Sequence, residues 1–419
     1  MQKQFIKILI NSSGILLILI ILFLFLSHDS GEPIWKGQIK IGLIAPLTGS
    51  VQSGGISMQR GAELAVKNIN DNGGIGGYQL QLVTIDDHAT PKITERAVKE
   101  LVFIENVEAI IGPFNSDCAL AIKGLINNCG IPLITPVAMS DALNQEDDFI
   151  FRNTLGVTNA QIKVNAYSDF QNKKYLLLEG LGAKNLGIYW QNDIWGYEMQ
   201  KRIADDLNAI NKEDALLFSE PFQSGQTDFE SLFTALEGNY PDLIYVVSAG
   251  DESIDLVRSA RKAGYAGLFL GEGGFNYSNF DKELKAYADG CFFSTQWHPS
   301  FSTPMSDVFL KSYMAEYDEI PNMFAALTYE SLYILKGSML RTLLYIWRDN
   351  YKSLLRDDLA TPRTIDGITG KIYFDSTGQC DRTVFVMQKK WDGRRIQSLI
   401  LYPTEYSQGN YEWDWIVEQ

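Results

Sequence analysis

The sequence predicts an α/β protein built as two doubly wound, Rossmann-like lobes, and three observations predict it. Short apolar runs recur along most of the chain and are continuous rather than alternating, as strands buried on both faces require. Amphipathic stretches of helical period lie between them, and strand–helix alternation repeated this often means a parallel sheet with helices on both faces. The beat breaks around Phe151–Ala160 and again around Phe292–Ser302, dividing the chain into comparable parts whose crossovers are candidate hinges.

The expected strands are KIGLIAPL from Lys40, QLQLVTID from Gln79, AIIG from Ala109, PLIT from Pro132, NLGIYW from Asn185, DLIYVVS from Asp242 and GLFLG from Gly267. Met58, Ala62, Ala65, Val66 and Ile69 share one face of the first helix, which Asn72-Gly73-Gly74 ends. Ile93, Ala97, Leu101 and Ile104 form the corresponding face of the next. In such sheets ligands settle beyond the carboxyl ends of the strands, here the loops after Leu47, Gly112, Thr135, Trp190, Ser248 and Gly271.

At 419 residues the chain suits two domains, with 46% hydrophobic residues to fill their cores. A net charge of −15 repels a phosphate backbone, so nucleic acid is excluded as a natural partner. Lys3 and Lys7 precede an apolar run, Ile8–Leu26, that approaches bilayer-spanning length, with neither a small-x-small cleavage site nor a lipid-accepting Cys after it. It reads as an uncleaved signal anchor, with a cleaved signal peptide as the alternative; either way the rest of the chain lies outside the cytoplasm. Cys118 and Cys129 sit about 16 Å apart along one expected helix, beyond disulfide reach, whereas Cys291 and Cys380 could pair. No Cys/His cluster suggests a metal, and no motif calls for a cofactor.

At this point the residues resemble a known family. PLTGSVQSGGISMQRGAELAVKNINDNGGIGG from Pro46 is similar to the opening of the type I periplasmic binding proteins for branched-chain amino acids, the leucine-binding-protein-like subunits of ABC transporters. VEAIIGPFNSDCALA from Val107, IPLITPVA from Ile131, DIWGYEM from Asp193, TDFESLFTALEGNYPDLIYVV from Thr227, AALTYESLYIL from Ala325 and GITGKIYFDSTGQ from Gly367 follow in order, so the resemblance spans about Gln38–Arg394. It implies two lobes joined by three hinge crossovers, a small amino-acid-like ligand clamped between them, delivery to an ABC transporter permease, and no enzymatic activity. On this basis residues 1–36 form the anchor and linker, 37–156 with 296–365 the first lobe, 157–295 with 366–400 the second, and 401–419 a tail.

The resemblance also nominates site residues. Ser116, at the start of the helix after Gly112, matches the family's carboxylate-binding serine; by itself it would read as a helix cap. Val137 and Ala138 match a loop that offers backbone groups to the ligand. Met139 stands where many relatives place a threonine, with Ser140 one residue late, and Thr158 stands near a common aspartate. Trp195 takes the place of an aromatic expected to lie over the ligand. Glu272 adjoins the position of an ammonium-binding acid, which strict alignment gives to Gly273. Aromatics that relatives carry at Gly54 and Ala249–Gly250 are missing, which suggests a ligand bulkier than leucine or differently shaped. Trp297 reads as a hinge stiffener ahead of the alternative, a residue lining the cleft, and Asp86-Asp87 as a structural, surface-directed pair.

Three rivals remain. A catalytic serine would need one of His28, His88 and His298 and lacks a GxSxG elbow. A sensing ectodomain of the same fold acting on a signalling partner is the main alternative to transport. A lobe pair that has lost its ligand and serves as an interaction module is the third.

Overall fold

In the computed structural model, residues 35–143, 145–166, 178 and 180–403 are described. In chain order, the first lobe runs β1 (Gln38–Ala45), α1 (Gln52–Asp71), β2 (Gln79–Asp86), α2 (Pro91–Phe103), β3 (Ala109–Ile111), α3 (Ser116–Cys129), β4 (Leu133–Thr135) and β5 (Ile150–Arg152). Its sheet is parallel, in the order β2-β1-β3-β4-β5, with β1 and β2 paired from Gln38↔Gln79 to Ala45↔Asp86. The continuous apolar runs have the cause the sequence implies. Ile39, Ile41 and Leu43 face one hydrophobic core, and Ile44 faces another built with Ala97, Val98 and Leu101 of α2 and Ile122 and Ile126 of α3.

The second lobe continues with α4 (Val157–Ala166), β6 (Leu186–Gln191), α5 (Ile194–Ala209), β7 (Leu216–Phe222), α6 (Glu230–Thr234), β8 (Leu243–Val247), α7 (Glu252–Lys262), β9 (Leu268–Gly271), α8 (Ser278–Leu284) and β10 (Cys291–Thr295). On β8 the same logic holds, with Ile244 and Val246 in one core and Leu243, Tyr245 and Val247 in the other. The chain then returns to the first lobe as α9 (Pro304–Tyr317), α10 (Met323–Thr342) and α11 (Tyr351–Ala360). A small antiparallel sheet of β11 (Ile365–Gly367), β12 (Gly370–Phe374) and β13 (Cys380–Asp381) follows. Finally β14 (Phe385–Trp391) and β15 (Ile396–Tyr402) add antiparallel to β10, giving a seven-stranded sheet, β15-β14-β10-β9-β8-β6-β7.

Three crossovers therefore join the lobes: after β5, after β10 and between β13 and β14. Buried polar side chains stitch them together. The Gln296 side chain of the second crossover accepts from Leu155 N at 3.0 Å and donates to Thr154 Oγ1 at 2.8 Å in the first. Arg382 of the third donates to Asn153 of the first and, at 2.8 Å, to Glu330 of α10, a pair shielded from solvent. Trp297 is buried against Phe309 and donates to Ser306 Oγ at 2.9 Å, which suits a stiffener of the second crossover.

Several expectations need correcting. The strand from Gly370 does not pack with the second lobe: Ile372, Phe374 and Cys380 lie in the core of the first, and Arg152 bridges to Gln379. The return to the second lobe begins only at Phe385, because the third crossing falls at Arg382–Val384. Leu401 and Tyr402 close β15 rather than opening a tail. Ile104 ends α2 exposed; the buried face is Thr94, Ala97, Val98 and Leu101. Asp87 is buried, accepting from Thr94 Oγ1 and Ala89 N, while Asp86 ties down Leu47 N and Thr48 Oγ1, so the pair anchors loops rather than facing solvent. Cys118, Cys129, Cys291 and Cys380 are free thiols, Cys291 and Cys380 lying in different cores. The apolar run Ile8–Leu26 lies outside the described residues; among the described ones, no helix is long and apolar enough to cross a membrane.

Candidate functional site

A cavity with about 680 Å³ of empty space, partly open to solvent, lies between the lobes. Its walls come from the carboxyl ends of the strands: Phe114–Ser116 after β3, Pro136, Val137 and Met139 after β4, Asp193 and Trp195 after β6, Glu272 and Gly273 after β9, and Ser294–Gln296 at the end of β10. Met323 and Phe324, which open α10, close one side.

On the first-lobe wall, Gly112 turns the chain from β3 with φ +104°, and a Cβ there would meet Ile44 O at 2.1 Å. The turn delivers Ser116 as the first residue of α3, where the leading amides have no intrahelical acceptor and the helix dipole favours negative charge. Ser116 is only 4% exposed, and its Oγ accepts from Ser140 N at 3.2 Å. The helix cap is Asn115, whose side chain makes no capping bond and whose buried Oδ1 has no partner among the described residues. Ser116 is thus not spent on capping.

On the second-lobe wall, Glu272 is 6% exposed and accepts from Tyr245 Oη and Ser294 Oγ, both at 2.6 Å. Burial outweighs those two donors and pushes its carboxyl up to about 7. Asp193 caps α5 by accepting from Gly196 N at 2.7 Å and takes a second bond from Gln191. Burial again dominates, with Asp117 and Glu252 adding repulsion, and its carboxyl also rises to about 7. Among the described residues, no Lys, Arg or His lines the cavity. One wall therefore presents a hydroxyl and helix amides, the other two carboxyls ready to ionise beside a cation, with an apolar floor of Phe114, Val137, Met139, Met323 and Phe324.

The lobes touch across this gap, so the conformation is closed. Glu198 of α5 accepts from Ser140 Oγ at 2.7 Å and Asp141 N at 3.0 Å, and Ser50 and Ser224 meet through their hydroxyls at 2.7 Å.

The family model described as "Periplasmic binding protein" matches residues 38–394. The chain belongs to the periplasmic binding protein family. Its members bind solutes outside the cytoplasm and are not enzymes. The Leu/Ile/Val-binding protein BraC3 of Rhizobium johnstonii is 25% identical over 87% of this chain and 94% of its own. Among solved structures, the branched-chain amino acid transporter substrate-binding protein LivJ of Streptococcus pneumoniae, in complex with isoleucine, has a TM-score of 0.75 at 27% identity, covering 87% of this chain and 99% of that one. The leucine-binding protein LivK of Thermotoga maritima has a TM-score of 0.73 at 22% identity, over 88% and 99%.

Against this family background, the structure brings Ser116, Val137, Met139, Trp195 and Glu272 to the cavity. Ala138 lies behind the wall, packed on Ala119 and Leu143. The N–H groups of Val137 and Ala138 point to Thr135 Oγ1, at 3.4 and 3.1 Å, rather than into the cavity. Ser140 does not stand in for the missing threonine: its hydroxyl is turned onto Glu198. Thr158 also stays outside the lining, its N–H donating to Asp141 at 2.9 Å. Glu272 and Gly273 both line the cavity, and the carboxyl there is that of Glu272.

Sequence reasoning missed Asp193, Phe114 and Phe324. Asp193 and Phe114 stand inside quoted motifs, and Asp193 directly before a helix was a legible cap. The missing aromatic at Gly54 is made good from elsewhere, since a Cβ there would meet the Phe114 ring at 2.3 Å and the Tyr277 hydroxyl at 2.7 Å. Tyr277 donates to Ala249 O at 2.8 Å and packs on Phe324.

Proposed function

We propose that this protein captures an α-amino acid with an apolar side chain and presents it to an ABC transporter permease. The observation that carries the reading is the polarity of the two walls. Ser116 and the start of α3 suit a carboxylate, Glu272 and Asp193 suit an ammonium, and the apolar floor between them suits a hydrocarbon side chain. A zwitterion bridges the lobes in that arrangement and so favours the closed form over the open one. The branched-chain amino acid relatives point to the same ligand class and set transport ahead of sensing. The apolar run Ile8–Leu26 would hold the chain at the outer face of the cytoplasmic membrane.

Titration calorimetry with leucine, isoleucine, valine, phenylalanine and their amides tests the ligand. Binding of the acids and loss of binding by the amides is expected; heat only from sugars or peptides, or none at all, sinks the reading. Co-purification of a permease from the native membrane tests delivery.

A further inference from the structure

The end of α10 and the turn after it expose large apolar side chains on one surface of the first lobe. Leu344 is 92% and Trp347 71% exposed, with Leu340 and Tyr345 beside them in sequence also exposed. Leu343 lies over Gly76, and Trp347 packs edge-on against Tyr78 at 5.9 Å and donates to its hydroxyl at 3.3 Å. The same surface is where the chain enters the lobe. Trp35 lies over Gly74, and Lys36 bonds to Gly77 O through its N–H and to Gly76 O through Nζ.

We propose that this face rests on the surface of a lipid bilayer, with Leu344 and Trp347 dipped into its interfacial layer. Exposed Leu and Trp are costly in water, whereas a Trp and a Tyr flanked by basic residues suit the headgroup boundary. The flanking bases are exposed Lys36 and Arg348, the latter lying over the Tyr345 ring at 4.8 Å. Chain length selects the occupant. Eight residues separate Leu26, the end of the apolar run, from Trp35, and fully extended this stretch spans at most about 32 Å. If the run is in the membrane, as the proposed function has it, this face is the part of the lobe held against that membrane.

The pose has a consequence for the binding cycle. Trp35 and Tyr78 precede β1 and β2, at the amino edge of the sheet, whereas the cavity is at the carboxyl edge. α10 runs from one to the other, Met323 at the cavity and Leu343 just past its far end, about 30 Å away. The docked protein therefore aims its cleft outward, to receive ligand, and must lift off before presenting it to a permease.

The test uses the full-length chain in vesicles of phosphatidylcholine and phosphatidylglycerol with part of the phosphatidylcholine brominated. With Cys129→Ser to remove the more accessible thiol, an environment-sensitive fluorophore is attached at Leu344→Cys or, as control, at Leu217→Cys, exposed in β7 of the other lobe. The Leu344→Cys label is expected to shift blue and lose intensity to the brominated lipid, and the control to do neither. Vesicles that float with the protein while both labels stay unquenched overturn docking and leave the anchor standing. Failure of the protein to float removes the anchor, and docking with it. A blue shift without lipid quenching that fades on dilution shows a second copy on this face and also overturns the inference.

Discussion

Ser116 and Glu272 carry the argument at the scale of single residues. A hydrogen bond to a charged group contributes about 1.5–3 kcal/mol. Ser116→Ala should therefore weaken amino-acid binding by about that much in calorimetry, and unchanged affinity would remove it from the site. Glu272 makes a prediction about pH. Its folded-state pKa of about 7 exceeds the unfolded value of roughly 4.3, so the folded ligand-free state holds the proton more tightly. This group then costs nothing at low pH, and stability falls as pH rises from about 4.3 to about 7, by an amount on the order of 4 kcal/mol. Glu272→Gln should make that slope shallower in urea titrations run across the range, leaving the part that Asp193 contributes. For a cationic ligand group the sign reverses: wild-type affinity should rise with pH up to about 7, and the variant should keep only the shallower rise that Asp193 supplies. Ser116 was legible because a serine opening a helix after a strand has a physical meaning in sequence. Glu272 was legible only as a neighbour of the aligned position, because its burial depends on Tyr245 and Ser294 coming from other strands.

At the scale of elements, the crossovers decide how the clamp moves. Asn153, Gln296 and Arg382 lie far apart in sequence yet bond to one another's segments, and Glu330 on α10 neutralises Arg382 where water is excluded. Removing one partner of such a buried pair costs roughly 3–5 kcal/mol because the other charge stays buried. Glu330→Ala should lower unfolding stability by about that amount in denaturant melts, and a change within error would show the pair to be dispensable. Sequence periodicity revealed the strands and helices but misassigned β12. A short strand of mixed pattern carries no mark of the lobe it joins; only the packing of Ile372 and Phe374 settles it. Cys291 and Cys380 show the same limit, since thiols that could pair on paper end in separate cores.

For the whole molecule, closure and binding are one equilibrium. A ligand that binds only the folded, closed form adds about 2.7 kcal/mol to unfolding stability at 100 times its dissociation constant. A thermal-shift screen of amino acids should thus raise the melting temperature for the true ligand class, and a flat response across all of them would favour an interaction module. The sequence by itself determined the α/β class, the helical faces, the order of strands along the chain and the side of each sheet on which to look. These follow from local periodicity and from the burial of parallel strands on both faces. The tertiary structure alone decided which side chains share the cavity, that Phe114 and Tyr277 fill the space left at Gly54, and that no cation among the described residues lines the cavity beside Asp193 and Glu272. The reason is physical: a pocket between two lobes is made of loops distant in sequence, and burial, which sets both fit and charge there, is a property of the assembled fold.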